Sequence, residues 1–195
     1  TYAITDNTTG ALRSLCPQTS TLNLTITDAP VADFNFGTYC TNNTDPNPTF
    51  MNGGSGGVFT ALPAGLSINA ATGLVDLSTS TPGTYTITNT INIPGCALAT
   101  FNDDITINGL PAGNISGTTT ICPSDPLPTI TINLTAGLAP WNLTYNFDGA
   151  PVNVVAAASP FSIISAAVGS YDLVSVIDAN GCSNALLGNA TISTF

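Results

Sequence analysis

Gly83-Thr84-Tyr85-Thr86-Ile87-Thr88-Asn89-Thr90-Ile91 runs on to Pro94-Gly95-Cys96, and the pattern returns later in the chain. Its second copy is Gly169-Ser170-Tyr171-Asp172-Leu173-Val174-Ser175-Val176-Ile177, running on to Asn180-Gly181-Cys182. The step from Tyr to Cys is 11 positions in both, from 85 to 96 and from 171 to 182. Asp104-Ile105-Thr106-Ile107 follows the first copy, and Ala190-Thr191-Ile192 follows the second. A third copy opens the chain with Thr1-Tyr2-Ala3-Ile4-Thr5, then Cys16, then Leu22-Asn23-Leu24-Thr25-Ile26-Thr27. Apolar and β-branched residues alternating with Thr, cut by Gly, Pro and Asn, mark half-buried strands and tight turns. Tyr85, Ile87, Ile91 and Ile93 share one parity, with Thr86, Thr88 and Thr90 opposite. Ile130, Ile132 and Leu134 alternate with Thr131 and Asn133, and Tyr171, Leu173 and Ile177 are expected on one side.

The cysteines keep the same beat. Cys16 to Cys96 is 80 positions, Cys96 to Cys182 is 86, and Cys40 to Cys122 is 82. Each unit therefore carries one early and one late cysteine. A period of this length is too long for a small solenoid repeat and fits an immunoglobulin-like sandwich of about seven short strands. The reading is all-β: tandem immunoglobulin-like β-sandwich repeats joined end to end by short Pro-containing linkers. Residues 1–28 are read as the last strands of an upstream unit. Residues 29–109 form one full unit starting at Ala29-Pro30, and residues 110–195 a second starting at Leu110-Pro111-Ala112-Gly113. Thr1 to Thr5 reads as a strand and not a signal peptide, so the chain is expected to be an excerpt of a longer polypeptide.

Composition bounds the chemistry. The 195 residues contain no His, Lys or Glu; Arg13 is the one basic residue, and all 11 acidic residues are Asp, for a net charge of −10. Charged residues are 6% of the chain, against about 25% in an ordinary domain. A nucleic-acid surface needs Lys and Arg to displace phosphate counterions, so nucleic acid is excluded as a partner. Docking on anionic lipid fails for the same reason. Hydrophobic residues are 43%, enough to fill a core. The stretch Val152 to Gly169 is interrupted by Asn153, Ser159, Pro160, Ser162 and Ser165. It is expected to be two core strands around a turn at Ser159-Pro160, not a membrane span.

Five cysteines without His, and without a C-x₂-C pair, argue against metal ligation. A nucleophilic Cys needs a base beside it, and the chain has neither His nor Lys. Structural pairing is the reading: Cys40–Cys96 and Cys122–Cys182, one bridge per full unit, with Cys16 bonded to a cysteine outside this stretch. A free thiol, or a bond to another chain, is the rival for Cys16. Each such loop would stabilise its unit by roughly 4 kcal/mol in the chain-entropy treatment, and would place the protein in an oxidising compartment.

Other candidates are thin. Asp103-Asp104 are adjacent on an extended segment and face opposite ways, which suits a solvated turn and not paired carboxylates. Asp28 and Asp33 flank the first linker as weak candidates for Ca²⁺, which wants six to eight oxygens. No metal and no cofactor is expected. Trp141 is the sole Trp and the weak candidate for a sugar platform; its alternation with Leu143 and Tyr145 points instead to the core. Asn52-Gly53-Gly54-Ser55-Gly56-Gly57 lacks the GK[ST] ending of a phosphate loop and reads as a flexible hairpin loop. Asn7, Asn23, Asn42, Asn114, Asn133, Asn142 and Asn189 lie in N-x-[ST] sequons, which an Asn- and Thr-rich chain produces by chance.

Leu62-Pro63-Ala64-Gly65-Leu66-Ser67-Ile68-Asn69-Ala70-Ala71-Thr72-Gly73-Leu74-Val75-Asp76, with Gly83-Thr84-Tyr85-Thr86-Ile87-Thr88, resembles the cadherin-like and immunoglobulin-like repeats of giant bacterial surface proteins. Ile115 to Cys122, Pro140 to Tyr145 and Asp178-Ala179-Asn180-Gly181-Cys182 resemble a companion repeat. Both look like repeats of gliding-motility adhesins and other long surface proteins of Bacteroidota. The resemblance implies export by the type IX secretion system, display on the outer membrane, and a non-enzymatic stalk that serves attachment or gliding. Its implied partners are the secretion and motility machinery, external surfaces or glycans, and neighbouring repeats. A carbohydrate-binding or spacer module of a secreted enzyme is the alternative. An enzyme would have only Asp, Tyr and Ser or Thr to work with.

Overall fold

The computed structural model describes residues 28–195; the opening copy of the pattern and Cys16 lie outside them. All regular structure among the described residues is β. Strand pairing divides it into two sets, one over residues 34–108 and one over 112–194, with ladders confined to each set.

The first sandwich comprises β1 (Phe34–Asn35), β2 (Thr38–Cys40), β3 (Thr49–Phe50), β4 (Val58–Leu62), β5 (Ser67–Ile68), β6 (Val75–Asp76), β7 (Gly83–Ile91) and β8 (Ala99–Asn108). One sheet has the order β2-β8-β7-β4, and two ribbons, β1-β3 and β5-β6, complete the fold. The alternation along β7 does what period-two side chains must: Tyr85, Ile87, Asn89 and Ile91 are buried, with Thr84, Thr86 and Thr88 turned away. Phe34, Phe36, Phe59, Val75, Leu77, Tyr85, Ile87, Ile105 and Ile107 form its core.

The second sandwich comprises β9 (Ala112–Ser116), β10 (Thr119–Ile121), β11 (Ile130–Ala136), β12 (Trp141–Phe147), β13 (Ala150–Ala156), β14 (Phe161–Ile163), β15 (Gly169–Ile177), β16 (Ser183–Ala185) and β17 (Asn189–Thr194). Its sheets are β14-β11-β9 and β10-β17-β15-β12-β13, with β16 also on β15. Ile130, Ile132 and Leu134 of one sheet face Leu143, Tyr145, Leu173 and Ile192 of the other across the core.

Two devices recur. A short strand near the start of each unit runs parallel to the last strand: β2 on β8 and β10 on β17. Each unit also has a tyrosine corner, in which the phenol at the start of a long strand donates to a carbonyl four residues back. Tyr85 Oη reaches the Thr81 carbonyl at 2.6 Å, and Tyr171 Oη reaches that of Ala167 at 3.0 Å. These two features identify the folds as immunoglobulin-like.

Of three sequence expectations, two are corrected. Ile177 does not share a face with Tyr171 and Leu173. The ladder passes from Thr144↔Ser175 to Tyr145↔Leu173, so Val174 is an extra residue and the parity flips beyond it. Val176 is fully buried and Ile177 is exposed. Val152 to Gly169 does hold two strands around the turn at Ser159-Pro160, and their Val152, Val154, Phe161 and Ile163 pack against the core. β13 is the edge of one sheet, with Val155 exposed, and β14 belongs to the other. The glycine loop, finally, is exposed at its tip but held against its neighbours at Gly54 and Gly57. A Cβ at Gly57 would come within 2.1 Å of the Thr90 carbonyl oxygen, and one at Gly54 equally close to that of Asp33.

Candidate functional site: the junction between the two sandwiches

The parallel strands β2 and β10 decide where the early cysteines sit. Cys40 lies opposite Asn108, the last residue of β8, and Thr41 N–H donates to the Asn108 carbonyl at 3.0 Å. Beyond Asn108 the chain passes through Gly109-Leu110-Pro111 into β9. The early cysteine therefore stands at the exit end of the first sandwich. Late cysteines stand at the opposite end of their units, because they follow the long strands β7 and β15. Tyr39 aligns with Ile107, which pairs with Gly83 at the start of β7; Cys96 follows Ile91 at its far end. Thr119 aligns with Ile192, which pairs with Gly169; Cys182 follows Ile177. Eight residue steps at about 3.3 Å separate the two ends of each long strand, roughly 26 Å. A disulfide tolerates a Cα separation of only about 4.4–6.8 Å.

The bridges Cys40–Cys96 and Cys122–Cys182 are thus corrected. The disulfide is Cys40–Cys182, with Cα atoms 5.6 Å apart and a sequence separation of 142. It joins the exit end of the first sandwich to the entry end of the second. Cys96 is half-buried and Cys122 exposed, and neither is bonded among the described residues.

Each half of the bridge sits in a turn built to hold it. Cys40 N–H donates to Asn43 Oδ1 at 2.7 Å, and Asn43 N–H returns to the Cys40 carbonyl at 2.9 Å. On the other side, Asp178 is 3% exposed, a cost that a carboxylate recovers only through hydrogen bonds. Its Oδ1 accepts from the N–H of Asn180 at 3.0 Å and of Cys182 at 2.9 Å. Its Oδ2 accepts from Leu138 N–H at 3.1 Å, tying this turn to the neighbouring loop. Gly181, at φ +80°, supplies the left-handed residue just before Cys182. Across the junction, Asn42 Nδ2 donates to the Ser183 carbonyl at 3.1 Å, and Asn184 Nδ2 donates to that of Pro111 at 2.9 Å. Cys182 is fully buried and Cys40 nearly so.

The remaining candidates are scattered. Trp141 is 8% exposed and packs in the core with Leu143 and Tyr145, leaving no open face for a sugar ring to stack on. Asp33 accepts from Asn52 Nδ2 at 2.9 Å, and Asp28 is exposed; the described residues hold no group of three or more potential metal ligands. Asp103 caps Phe36 N–H at 2.6 Å, while Asp104 accepts from Thr86 Oγ1 at 2.7 Å, so the pair does not converge. Asp178, Asn42 and Asn43 hold the two halves of the bridge, a role the sequence did not assign to them. The one signal for them was Asx residues soon after Cys40 and on both sides of Cys182.

No family model matches the sequence, and no curated protein matches it either. Among solved structures, the chain is similar to the N-terminal four Ig domains of Dscam1 isoform 9.44, at 11% identity and a TM-score of 0.43, over 87% of this chain and 44% of that one. It is similar to mouse cadherin-23 EC22–24 at 12% identity and a TM-score of 0.30, over 86% of this chain and 64% of that one. It is similar to a Ca²⁺-stabilized adhesin with which an Antarctic bacterium binds ice, at 16% identity and a TM-score of 0.29, over 76% and 43%. The chain thus spans less than half the length of the Dscam1 fragment and of the ice adhesin, and its fold assignment rests on its strand pairing and tyrosine corners.

Proposed function

We propose that this chain is a structural, adhesive segment of a secreted cell-surface protein, a stack of immunoglobulin-like units that holds binding elements away from the cell. The observation that carries this reading is the Cys40–Cys182 bond, placed where one sandwich ends and the next begins. A bond inside a unit would serve that unit's stability alone. A bond across the junction fixes how consecutive units sit, which matters to a protein whose product is reach and orientation. An oxidising, extracellular setting accords with a buried structural disulfide. The gliding or attachment role, outer-membrane anchorage and export by a type IX system belong to the same proposal and rest on the sequence resemblance.

Antibodies against the folded chain are expected to label intact, unpermeabilised cells, and cells lacking the gene should lose attachment or surface movement. Labelling that needs permeabilisation would sink the reading.

A further inference from the structure

We propose that Cys122 and Cys96 are open halves of the same end-to-end clamp: Cys122 bonds the late cysteine of a unit stacked on the exit end of the second sandwich, and Cys96 bonds the early cysteine of a unit stacked before the first. The proposal rests on the stacked-unit reading above and adds to it a specific covalent partner for each thiol.

Cys122 repeats the setting of Cys40 group by group. Its N–H donates to Asp125 Oδ2 at 2.8 Å, and Asp125 N–H returns to its carbonyl at 2.9 Å, the reciprocal turn that Cys40 makes with Asn43. It follows β10 as Cys40 ends β2, and each short strand runs parallel to the end of its unit's last strand. Cys96 repeats Cys182. Each closes a turn after the long strand that carries the tyrosine corner, and each is preceded by a left-handed glycine, Gly95 at φ +89° and Gly181 at φ +80°. What differs is the neighbour. Cys40 and Cys182 face another unit and are buried, whereas Cys122 is exposed and Cys96 half-buried.

The two thiols do not serve each other. Cys96 lies at the end of the first sandwich away from the linker, and Cys122 at the end of the second away from it. Each would be closed by a two-electron oxidation. Two thiols lose two protons and two electrons to a disulfide oxidant such as oxidised glutathione, which leaves as two reduced thiols, and one S–S bond forms.

The test is disulfide mapping of extended chains refolded with oxidised and reduced glutathione. Because Arg13 is the one basic residue, trypsin is useless and cleavage before Asp serves instead. In one arm a second copy of residues 110–195 follows residue 195. In the other a second copy of residues 29–109 is inserted before residue 29. Alkylation of Cys122 is expected to fall from complete in the native chain to background in the first arm, with a peptide joining it to the copy's late cysteine. Cys122→Ser should leave that late cysteine alkylatable. In the second arm Cys96 should behave likewise towards the copy's early cysteine. Thiols at Cys122 and Cys96 that stay alkylatable beside folded copies would overturn the proposal, as would a Cys16–Cys96 bond in the native chain. The arms are independent, so a copy that misfolds in one leaves the other to decide. The mapping uses purified protein, so its failure would leave the cell-surface reading standing, and the reverse holds for surface labelling.

Discussion

The two sandwiches share a frame and fill it by different means. In the second, two extended sheets supply both layers, and β11, β12 and β15 bury aliphatic residues together with Trp141, Tyr145 and Tyr171 along long ladders. In the first, one four-stranded sheet faces two short ribbons. What the ribbons lack in ladder is made up by a cluster of phenylalanines and by side-chain hydrogen bonds. Phe34 meets Phe36, Phe59 and Phe101 edge to face, with ring centroids 5.6–5.9 Å apart. Asn89, fully buried, donates to the carbonyls of Ala32 and Ser55 and accepts from Gly57 N–H, stitching the entering chain and the glycine loop to β7. Leu77 N–H donates to Asp45, and Ser67 N–H donates to Ser80, where strand partners would otherwise serve. A fold can thus keep its topology while moving its stabilisation from ladder to side chain.

The difference can be broken open because Trp141, in the second core, is the sole Trp and reports on that unit alone. The largest effect is expected from the bond that both units share. When one sandwich opens beside its folded neighbour, Cys40–Cys182 closes the opened segment into a loop of roughly 70 residues, worth about 4 kcal/mol in the chain-entropy treatment. Cys40→Ser should therefore lower the stability of both units together, seen as matched shifts in Trp141 fluorescence and far-ultraviolet dichroism in urea. A loss confined to one unit would contradict a shared clamp.

Phe34→Ala comes next, at about 3–5 kcal/mol, since it empties the aromatic cluster. It should abolish the first unit's dichroism transition at urea concentrations where the Trp141 signal is unchanged. Asn89→Leu should follow with about 2–3 kcal/mol, again in the first unit alone, because it strands buried backbone groups that have no other partner. If Asn89→Leu proves neutral, side-chain stitching is not what replaces the missing ladder.

The smallest effect belongs to the second unit and to alkaline pH. Burial raises the phenols of Tyr145 and Tyr171 above their usual value. The folded state then holds those protons more tightly than the unfolded chain does. Their contribution is complete below about pH 10 and is lost as pH rises through the folded values. Urea midpoints followed by Trp141 should hold up to about pH 10 and fall above it, and Tyr145→Phe should blunt the fall.

The strands were legible because their signal is local: Tyr85 to Ile91 and Ile130 to Leu134 announce their faces by alternation alone. The parity of Ile177 was not, since the bulge at Val174 is set by pairing with β12 and leaves no mark on composition. The cysteine pairing failed for a related reason. Spacing gives the order of sulfurs along the chain, but which end of a sandwich each occupies depends on whether Thr38-Tyr39-Cys40 runs parallel or antiparallel to β8. Three residues cannot announce that. Trp141 was readable as core from its alternation with Leu143 and Tyr145, whereas the buried Asp178 carboxylate looked like any polar turn residue.

The position of the Cys40–Cys182 bond also sets the route of tension. When the chain is pulled from its two ends, the covalent path runs to Cys40, crosses the sulfurs and leaves from Cys182. Everything between those residues hangs as a slack loop, including most of both hydrophobic cores, while Phe34 and Phe36 before it and Leu186, Ala190 and Ile192 after it stay on the loaded path. The separation of 142 residues, at about 3.5 Å each when drawn out, hides roughly 500 Å of chain from the load. Reduction would hand that length back as compliance, so the oxidation state of one bond decides whether this part of the molecule behaves as a tether of fixed length or as a spring.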